Sequence, residues 1–375
     1  MTGGSPRPRR LLDAAADLFG ARGYAAVGID DVAAAAGVTG PSVYRWFDSK
    51  YDLLRTLHLT TVDRLERRIA RESAPADLHT LALGALTVRR SLGTLRRDRV
   101  HLREPDIGSV AMVLDAVTAA ARRTAPTPLP PGDSGVTTRA VLSALSSIGT
   151  HRLAAPTAAV LEVLDSACTA VLAVDLPDIV DGPELPHGVP PVGRRDALLR
   201  SAATLFDENE PTEVTMAAIA SSVGLAASST YRWFGGKTVV LDQVCLGAAR
   251  RTADETVRVL ARSTTPHQAL AGLARRRVAL VTHSPALRVL RRHGLSTGPA
   301  TALELTVMAR QERAEWVNLL ASTMPGRTRA QAGVLVEAVF TVVDDLSQHV
   351  DERRLAAVIT AMLGVDDSGP RSPHR

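Results

Sequence analysis

The chain has 375 residues, of which 45% are hydrophobic and 3% aromatic, and it carries a formal net charge of +5 with a pI near 9.7. This length exceeds one ordinary hydrophobic core and predicts two or more domains. Ala, Leu and Val dominate and hairpin signals are scarce, so the composition favours helices. The basic charge permits an anionic partner such as nucleic acid without establishing one.

Several classes of protein are disfavoured by what the sequence lacks. Cys168 and Cys245 have no CxxC or Cys/His spacing, which argues against a disulfide framework or a zinc site. Without a Gly-rich phosphate loop, nucleophile elbow or paired acid motif, we expect no catalytic residues, no metal and no cofactor. No apolar run reaches the ~18–20 residues of a membrane helix, and Asp13 and Asp17 make the N-terminus a poor signal peptide. We therefore expect a soluble, cytoplasmic protein that is not an enzyme.

The first predicted elements are two helices and the start of a third. Apolar positions at helical spacing over 11–19 form the first helix, and Gly23 is suited to end it in a left-handed conformation. The same spacing over 29–36 predicts a short second helix, which stops at Gly37. Thr39 is then placed to N-cap a third helix through its hydroxyl.

The third and fourth helices complete the N-terminal pattern. Val43 and Phe47 form an apolar pair one turn apart on the third helix, and its other side chains are mostly polar. Residues 48–50 cap a longer fourth helix. Two short helices joined by a glycine-containing turn, the second polar on its outer face, are typical of a helix-turn-helix.

The whole pattern recurs 187 positions later. Residues 11–19 (LLDAAADLF) align with 198–206 (LLRSAATLF), and 42–50 (SVYRWFDSK) align with 229–237 (STYRWFGGK), without a gap. Weaker similarity continues almost to the end of each copy. Such self-similarity indicates two collinear units of about 185 residues each.

The two lysines support this reading independently. Of 44 basic residues only Lys50 and Lys237 are lysine, and they occupy equivalent positions in the two units. In a chain so biased toward arginine, their matched retention indicates a specific demand at that position. Simple inheritance from a duplication is the alternative.

The repeat divides the chain into six segments. A stretch with five prolines and three glycines over 174–193 predicts a semi-extended linker, because proline fixes φ and removes a donor. The predicted segments are a first helix-turn-helix head (1–55), a first helical domain (56–176), a Pro/Gly linker (177–193), a second head (194–241), a second helical domain (242–366) and a disordered tail (367–375).

The spacing of both heads resembles that of the TetR/AcrR family of bacterial regulators. The shared pattern is Phe-x-x-x-Gly-Tyr, then Ile-x-x-Val-Ala-x-x-Ala-Gly-Val-Thr, then Val-Tyr-x-x-Phe-x-x-Lys, and the resemblance covers residues 9–55 and 194–241. It implies an all-α fold of two tandem units, each a three-helix head followed by a helical regulatory and dimerisation domain. It also implies a ligand-responsive transcription factor, usually a repressor, that binds double-stranded operator DNA as a dimer.

The resemblance further implies DNA contacts at matching positions in the two heads. Short polar side chains of the third helix would reach base edges in the major groove, and the Tyr, the following Arg and the Lys would hold phosphates. For the two tryptophans, phosphate contact and packing both remain open. The predicted contact residues are Thr39, Gly40, Pro41, Ser42, Tyr44, Arg45, Trp46 and Lys50 in the first head, and Thr215, Ala227, Ser228, Ser229, Tyr231, Arg232, Trp233 and Lys237 in the second.

The second head departs from the pattern in three places. Glu-Pro replaces Gly-Tyr at the end of its first helix, so Asn209 is predicted to take over the left-handed turn. Ala226 stands where Thr39 was expected to cap the third helix, whereas Thr215 provides a cap that the first head lacks. The base-reading residues therefore differ between the heads, although the phosphate-holding residues are the same.

Two unlike heads in one chain predict an asymmetric or pseudo-palindromic operator, because only a symmetric dimer is forced to read a palindrome. We hypothesise a fused pseudo-dimer whose last long helices, about 138–174 and 328–365, pack as a four-helix bundle. Three alternatives stay open: a homodimer of chains, a second unit that serves only for dimerisation, and a helical adaptor or anti-repressor whose heads no longer bind DNA. The Leu/Val/Ala-rich regulatory regions predict a hydrophobic small-molecule effector.

Overall fold

The computed structural model describes residues 6–24, 26–70, 78–98, 101–108, 119, 131–149, 155–179 and 193–365. Within these ranges the secondary structure is helical, without strands, which confirms the predicted all-α class. Contacts divide the chain into two compact units. The first comprises Met1–Asp175, Thr328–Asp345 and Ala361–Gly364, and the second comprises Leu176–Arg327, Leu346–Thr360 and Val365–Arg375.

The helices of the N-terminal half are α1 (Pro6–Arg22), α2 (Ile29–Ala35), α3 (Gly40–Val43), α4 (Lys50–Ala70), α5 (Leu78–Thr87), α6 (Arg89–Asp98), α7 (Pro131–Ser146) and α8 (Thr157–Leu172). Those of the C-terminal half are α9 (Arg194–Glu208), α10 (Met216–Ser221), α11 (Ala227–Thr230), α12 (Lys237–Arg262), α13 (Pro266–His283), α14 (Pro285–His293), α15 (Pro299–Thr323), α16 (Arg329–Leu346) and α17 (Glu352–Leu363).

The first head is assembled around apolar side chains that helical spacing places on one face. Leu11 and Phe19 of α1, Val32 of α2, and Val43 and Phe47 at α3 are all buried. Because α2 and α3 are only one or two turns long, they are not stable by themselves and depend on this shared core. The core roles predicted for these aromatic and apolar residues are confirmed.

Glycines with a left-handed backbone set the path between the first three helices of a head. Gly23 has φ +84° and its N–H donates to the carbonyl of Phe19 at 2.9 Å, so it ends α1 in the predicted left-handed conformation. Gly37 and Gly224 occupy equivalent positions after the second helix of each head, and both have φ +70°. A side chain at such a φ is strained, so these turns require glycine.

The second head ends its first helix differently from the prediction. Asn209 has φ −134° and ψ 157°, so it is extended rather than left-handed. Its backbone N–H and its side-chain Nδ2 both donate to the carbonyl of Leu205 at 3.0 Å. The amide side chain thus satisfies the helix end in place of a left-handed turn. By contrast, the predicted cap by Thr215 is confirmed, since its Oγ1 accepts from the N–H of Ala218 at 3.1 Å.

Helix α16 comes from the C-terminal half of the sequence. Its residues up to Asp345 nevertheless belong to the first compact unit. There Ser143 Oγ of α7 donates to Asp345 Oδ2 at 2.8 Å, and Gln331 Nε2 donates to Glu162 Oε2 of α8 at 3.2 Å. The apolar residues on every side of α16 are buried, among them Ala332, Leu335, Val336, Val339, Phe340 and Val343.

Residues 180–192 of the predicted linker and all of the predicted tail at 367–375 lie outside the described residues. Within the described ranges, no helix combines the length and apolarity that crossing a bilayer requires.

The left-handed turn at Gly23 generates a stability prediction. Gly23→Ala is expected to lower the free energy of opening of the first head by about 1–2 kcal/mol, because a Cβ disfavours this φ even in open space. Gly20→Ala, within α1, is the matched control. Its new Cβ would lie 3.8 Å from Thr94 Oγ1 of α6, which is an ordinary van der Waals contact. We expect the control to gain up to about 1 kcal/mol from helix propensity. Amide hydrogen exchange measures both, and equal effects would contradict the assignment of the turn.

Candidate nucleic-acid interface

The sixteen predicted DNA-contact residues all lie within the described ranges, and none is buried. Those that are exposed are Thr39, Pro41, Tyr44, Arg45, Trp46, Thr215, Ser228, Tyr231 and Arg232. Those that are half-buried are Gly40, Ser42, Lys50, Ala227, Ser229, Trp233 and Lys237.

The third helix of each head anchors one side and presents the other. Val43 in the first head and Thr230 in the second are fully buried, whereas the next residue, Tyr44 or Tyr231, is 55% or 57% exposed. Thr230 satisfies its buried hydroxyl by donating to the carbonyl of Ala227 at 2.7 Å. The two heads therefore hold the tyrosine and the arginine that follows it on an accessible face.

The expected hydroxyl cap of the third helix is wrong in the first head. Thr39 occupies the N-cap position with an extended backbone, but its Oγ1 lies 2.8 Å from Ser42 Oγ and caps no backbone N–H. Ala226, its counterpart, has no hydroxyl to offer, and no serine replaces the cap. The hydroxyl pair of the first head thus lies on the surface predicted to read bases, while in the second head Ser229 keeps the hydroxyl of Ser42 and Ala226 lacks that of Thr39.

A carboxylate lies beside the start of the third helix in the first head only. A Cβ built on Gly40 would approach Asp30 Oδ1 to 2.1 Å, so this glycine leaves room for the aspartate. The equivalent residues of the second head are Ala217 and Ala227, which have neither the acid nor the need for glycine. Asp30 is exposed, and a carboxylate at a groove-facing surface can accept from cytosine N4. The two surfaces therefore differ in charge as well as in shape.

Both lysines lie at the first residue of the fourth helix and reach back to the loop after the first helix. Lys50 Nζ lies 4.3 Å from the ring centroid of Tyr24, and Lys237 Nζ donates to the carbonyl of Thr212 at 3.1 Å. Partial burial lowers the pKa of Lys50, although the carboxylates of Asp98 and Asp31 act in the opposite direction. Their role as phosphate contacts stays a prediction.

The two tryptophans have different surroundings. Trp46 is 47% exposed. Trp233 is half-buried and packs against the core of the second head, with the Arg232 guanidinium 5.9 Å from its ring. An indole on the surface keeps its N–H accessible to an anion.

The first head is held by acidic residues that sequence reasoning did not single out. Asp106 is buried and accepts from Tyr51 Oη at 2.9 Å and from Arg55 Nε at 2.8 Å, both at the start of α4. Asp98, at the end of α6, accepts from the backbone N–H of Tyr24 at 3.3 Å. Neither acid belongs to a repeated motif, so nothing in the local pattern signalled these contacts.

The second head is held by a different polar network. Asp242, equivalent to Arg55, accepts from the N–H of Gly298 at 2.9 Å and from Thr301 Oγ1 at 3.1 Å. At the end of α9, Asp207 is paired with Arg288 of α14, whose Nε lies 2.8 Å from Oδ2. Where the fourth helix contacts the segments that follow it, the cation Arg55 of the first head is thus replaced by the anion Asp242 in the second.

Comparison with known proteins shows what the first head is similar to. Residues 11–57 match the profile of the bacterial regulatory proteins of the tetR family. The first head is thus similar to the helix-turn-helix of that family. An uncharacterised HTH-type transcriptional regulator of Mycobacterium tuberculosis is 44% identical over 63 residues, which are 17% of this chain and 29% of the regulator. The putative mycofactocin biosynthesis transcriptional regulator MftR of the same organism is 29% identical over 120 residues, or 30% of this chain and 60% of MftR.

Solved tetR-family structures are also similar to part of this chain. A TetR-family regulator from Bordetella parapertussis aligns with 18% identity and a TM-score of 0.43, covering 47% of this chain and 96% of that one. PfmR from Thermus thermophilus aligns with 19% identity and a TM-score of 0.41, covering 48% and 100%.

The contact between Asp30 and Gly40 generates a coupling prediction. In an Asp30→Ala background, Gly40→Ala is expected to stabilise the first head by up to about 1 kcal/mol, because alanine is the better helix former. With Asp30 present, this gain is offset, since the new Cβ must displace the carboxylate. A double-mutant cycle followed by amide exchange therefore gives a coupling energy of roughly 0.5–1 kcal/mol. Additive effects of the two substitutions would contradict the contact.

Proposed function

We propose that this protein is a sequence-specific DNA-binding transcriptional regulator in which both heads engage one operator. The observation that carries the proposal is the pair of third helices with the same outward residues. Tyr44 and Tyr231 are exposed to nearly the same extent, each is followed by an exposed arginine, and each head has its lysine at the start of the next helix. Such donors hold phosphates, whereas the residues before them face the bases.

We further propose that the chain acts as a fused pseudo-dimer. Helices α7 and α16 correspond under the sequence repeat, and α16 is hydrogen-bonded within the first unit through Asp345 to Ser143 and through Gln331 to Glu162. Association through equivalent helices is what a two-fold pair requires. A tandem chain would thereby supply from one polypeptide the interface that a homodimer makes from two.

The differences between the heads support an asymmetric or pseudo-palindromic operator. The first head presents Asp30 and the Thr39–Ser42 hydroxyl pair, whereas the second presents two alanines and one serine at the same positions. Because these side chains face the predicted base-reading side, the two half-sites are expected to differ in sequence. Repression, with release by a hydrophobic effector, is the mode that the resemblance favours.

A second candidate is that the second head supplies only dimerisation. Two observations favour it: the Lys237 ammonium is engaged by the carbonyl of Thr212, and three glutamates flank this loop. These are Glu208, Glu210 and Glu213, all exposed, and they would repel nearby phosphates.

The matched lysines separate the two candidates. On a duplex selected by the protein from a randomised pool, Lys50→Ala and Lys237→Ala are each expected to weaken binding by about tenfold and to reduce the salt slope by about one, because each removes one phosphate contact. Arg258→Ala is the control, since this exposed arginine is paired with Glu255 within α12. We expect it to leave the slope unchanged.

Each result is decisive. Losses from both lysine substitutions support two working heads, and a loss from Lys50→Ala alone supports the dimerisation-only second head. Failure of the wild-type protein to select any duplex would contradict the regulatory function itself.

A further inference from the structure

A groove of about 430 Å³ lies on the first head between the start of α1 and the helix-turn-helix. Arg10 comes from the second turn of α1, and Arg45 and Trp46 follow the third helix. The glycine turn between the two short helices also lines the groove. The described residues that line the groove are Arg10, Leu11, Ala36, Gly37, Val38, Thr39, Ser42, Arg45 and Trp46.

The chemistry of this lining suits an anion. Two guanidinium groups, the Thr39–Ser42 hydroxyl pair and one indole N–H supply hydrogen-bond donors, and none of the nine described lining residues is acidic. Arginine presents a planar fork of donors that matches the oxygens of a phosphate. Because Ser42 and Arg45 are also predicted DNA contacts, an anion in this groove would lie beside the bound duplex.

The second head lacks the elements that give the groove its charge. Ala197 replaces Arg10 and Ala226 replaces Thr39 under the repeat. Arg195, two positions before Ala197, has its guanidinium 5.4 Å from the Phe234 ring and donates to Gln243 Oε1 at 3.2 Å. The first head therefore has an additional cation at this position.

We propose that the groove clamps a backbone phosphate of the operator and that Arg10 makes the first head the stronger anchor of the pair. The inference rests on the proposed DNA-binding function and goes beyond it in two ways. It adds a contact outside the repeated motif, and it makes the first head bind the DNA backbone more strongly than the second. A phosphate clamp contributes affinity without base preference, so it strengthens the binding of the first head without changing which bases that head reads.

The test compares Arg10→Ala with Arg9→Ala on the same selected duplex. Arg9 is exposed and adjacent but does not line the groove, so both variants lose the same net charge. Arg10→Ala is expected to weaken binding by about tenfold and to lower the salt slope by about one, whereas Arg9→Ala leaves the slope nearly unchanged. Arg10→Lys keeps the slope but loses part of the affinity, since a point charge replaces the fork.

Ala197→Arg in the second head is the reciprocal variant, and we expect it to steepen the salt slope by about one. Equal losses from Arg9→Ala and Arg10→Ala would overturn the clamp and leave only a general charge effect. The proposed function is judged separately, because it fails only if the wild-type protein binds no duplex. Circular dichroism of each variant confirms that the helices are intact before binding is measured.

Discussion

The third helix of each head is a single turn, Gly40–Val43 or Ala227–Thr230, and a helix of that length cannot stabilise itself in water. Its position depends on one buried anchor pair, Val43 with Phe47 in the first head and Thr230 with Phe234 in the second. The DNA contacts proposed for the surface depend on that anchor, because it determines which side chains face outward. Because the buried residues fix the turn, the intervening Tyr and Arg project outward in both heads, and the residues before them are free to vary without loss of the fold.

The two heads share this anchor but differ in what surrounds it. Arg55 of the first head pairs with the buried Asp106, whereas its counterpart Asp242 accepts from Gly298 and Thr301. The fourth helix of each head is therefore held to the segments that follow it by different chemistry. The outer surfaces differ in parallel, with Arg10 and Asp30 present only in the first head. The two heads thus share their buried packing and their Tyr-Arg-Trp-Phe segment but differ in the polar groups around it.

The sequence predicted the features that depend on short-range periodicity. The buried faces of the head helices, the left-handed Gly23 and the cap by Thr215 follow from local spacing and turn chemistry. Long-range contacts were not predictable in this way. Asp106 reaches Tyr51 across 55 positions, and Arg10 lines its groove with residues more than a helix away, so neither leaves a periodic signal. The predictions for Thr39 and Asn209 were wrong for local reasons. The hydroxyl of Thr39 pairs with Ser42 Oγ instead of a backbone N–H, and the side-chain amide of Asn209 donates to the carbonyl of Leu205, so that the helix end needs no left-handed turn.

The central claim is that one chain places two unlike heads on one operator. Footprinting of the selected duplex, combined with sedimentation of the complex to count chains, tests it most directly. The account predicts one chain per duplex and two protected half-sites of different sequence, separated by about one helical turn or a multiple of it. A palindromic footprint occupied by two chains, or a single protected half-site, would contradict it.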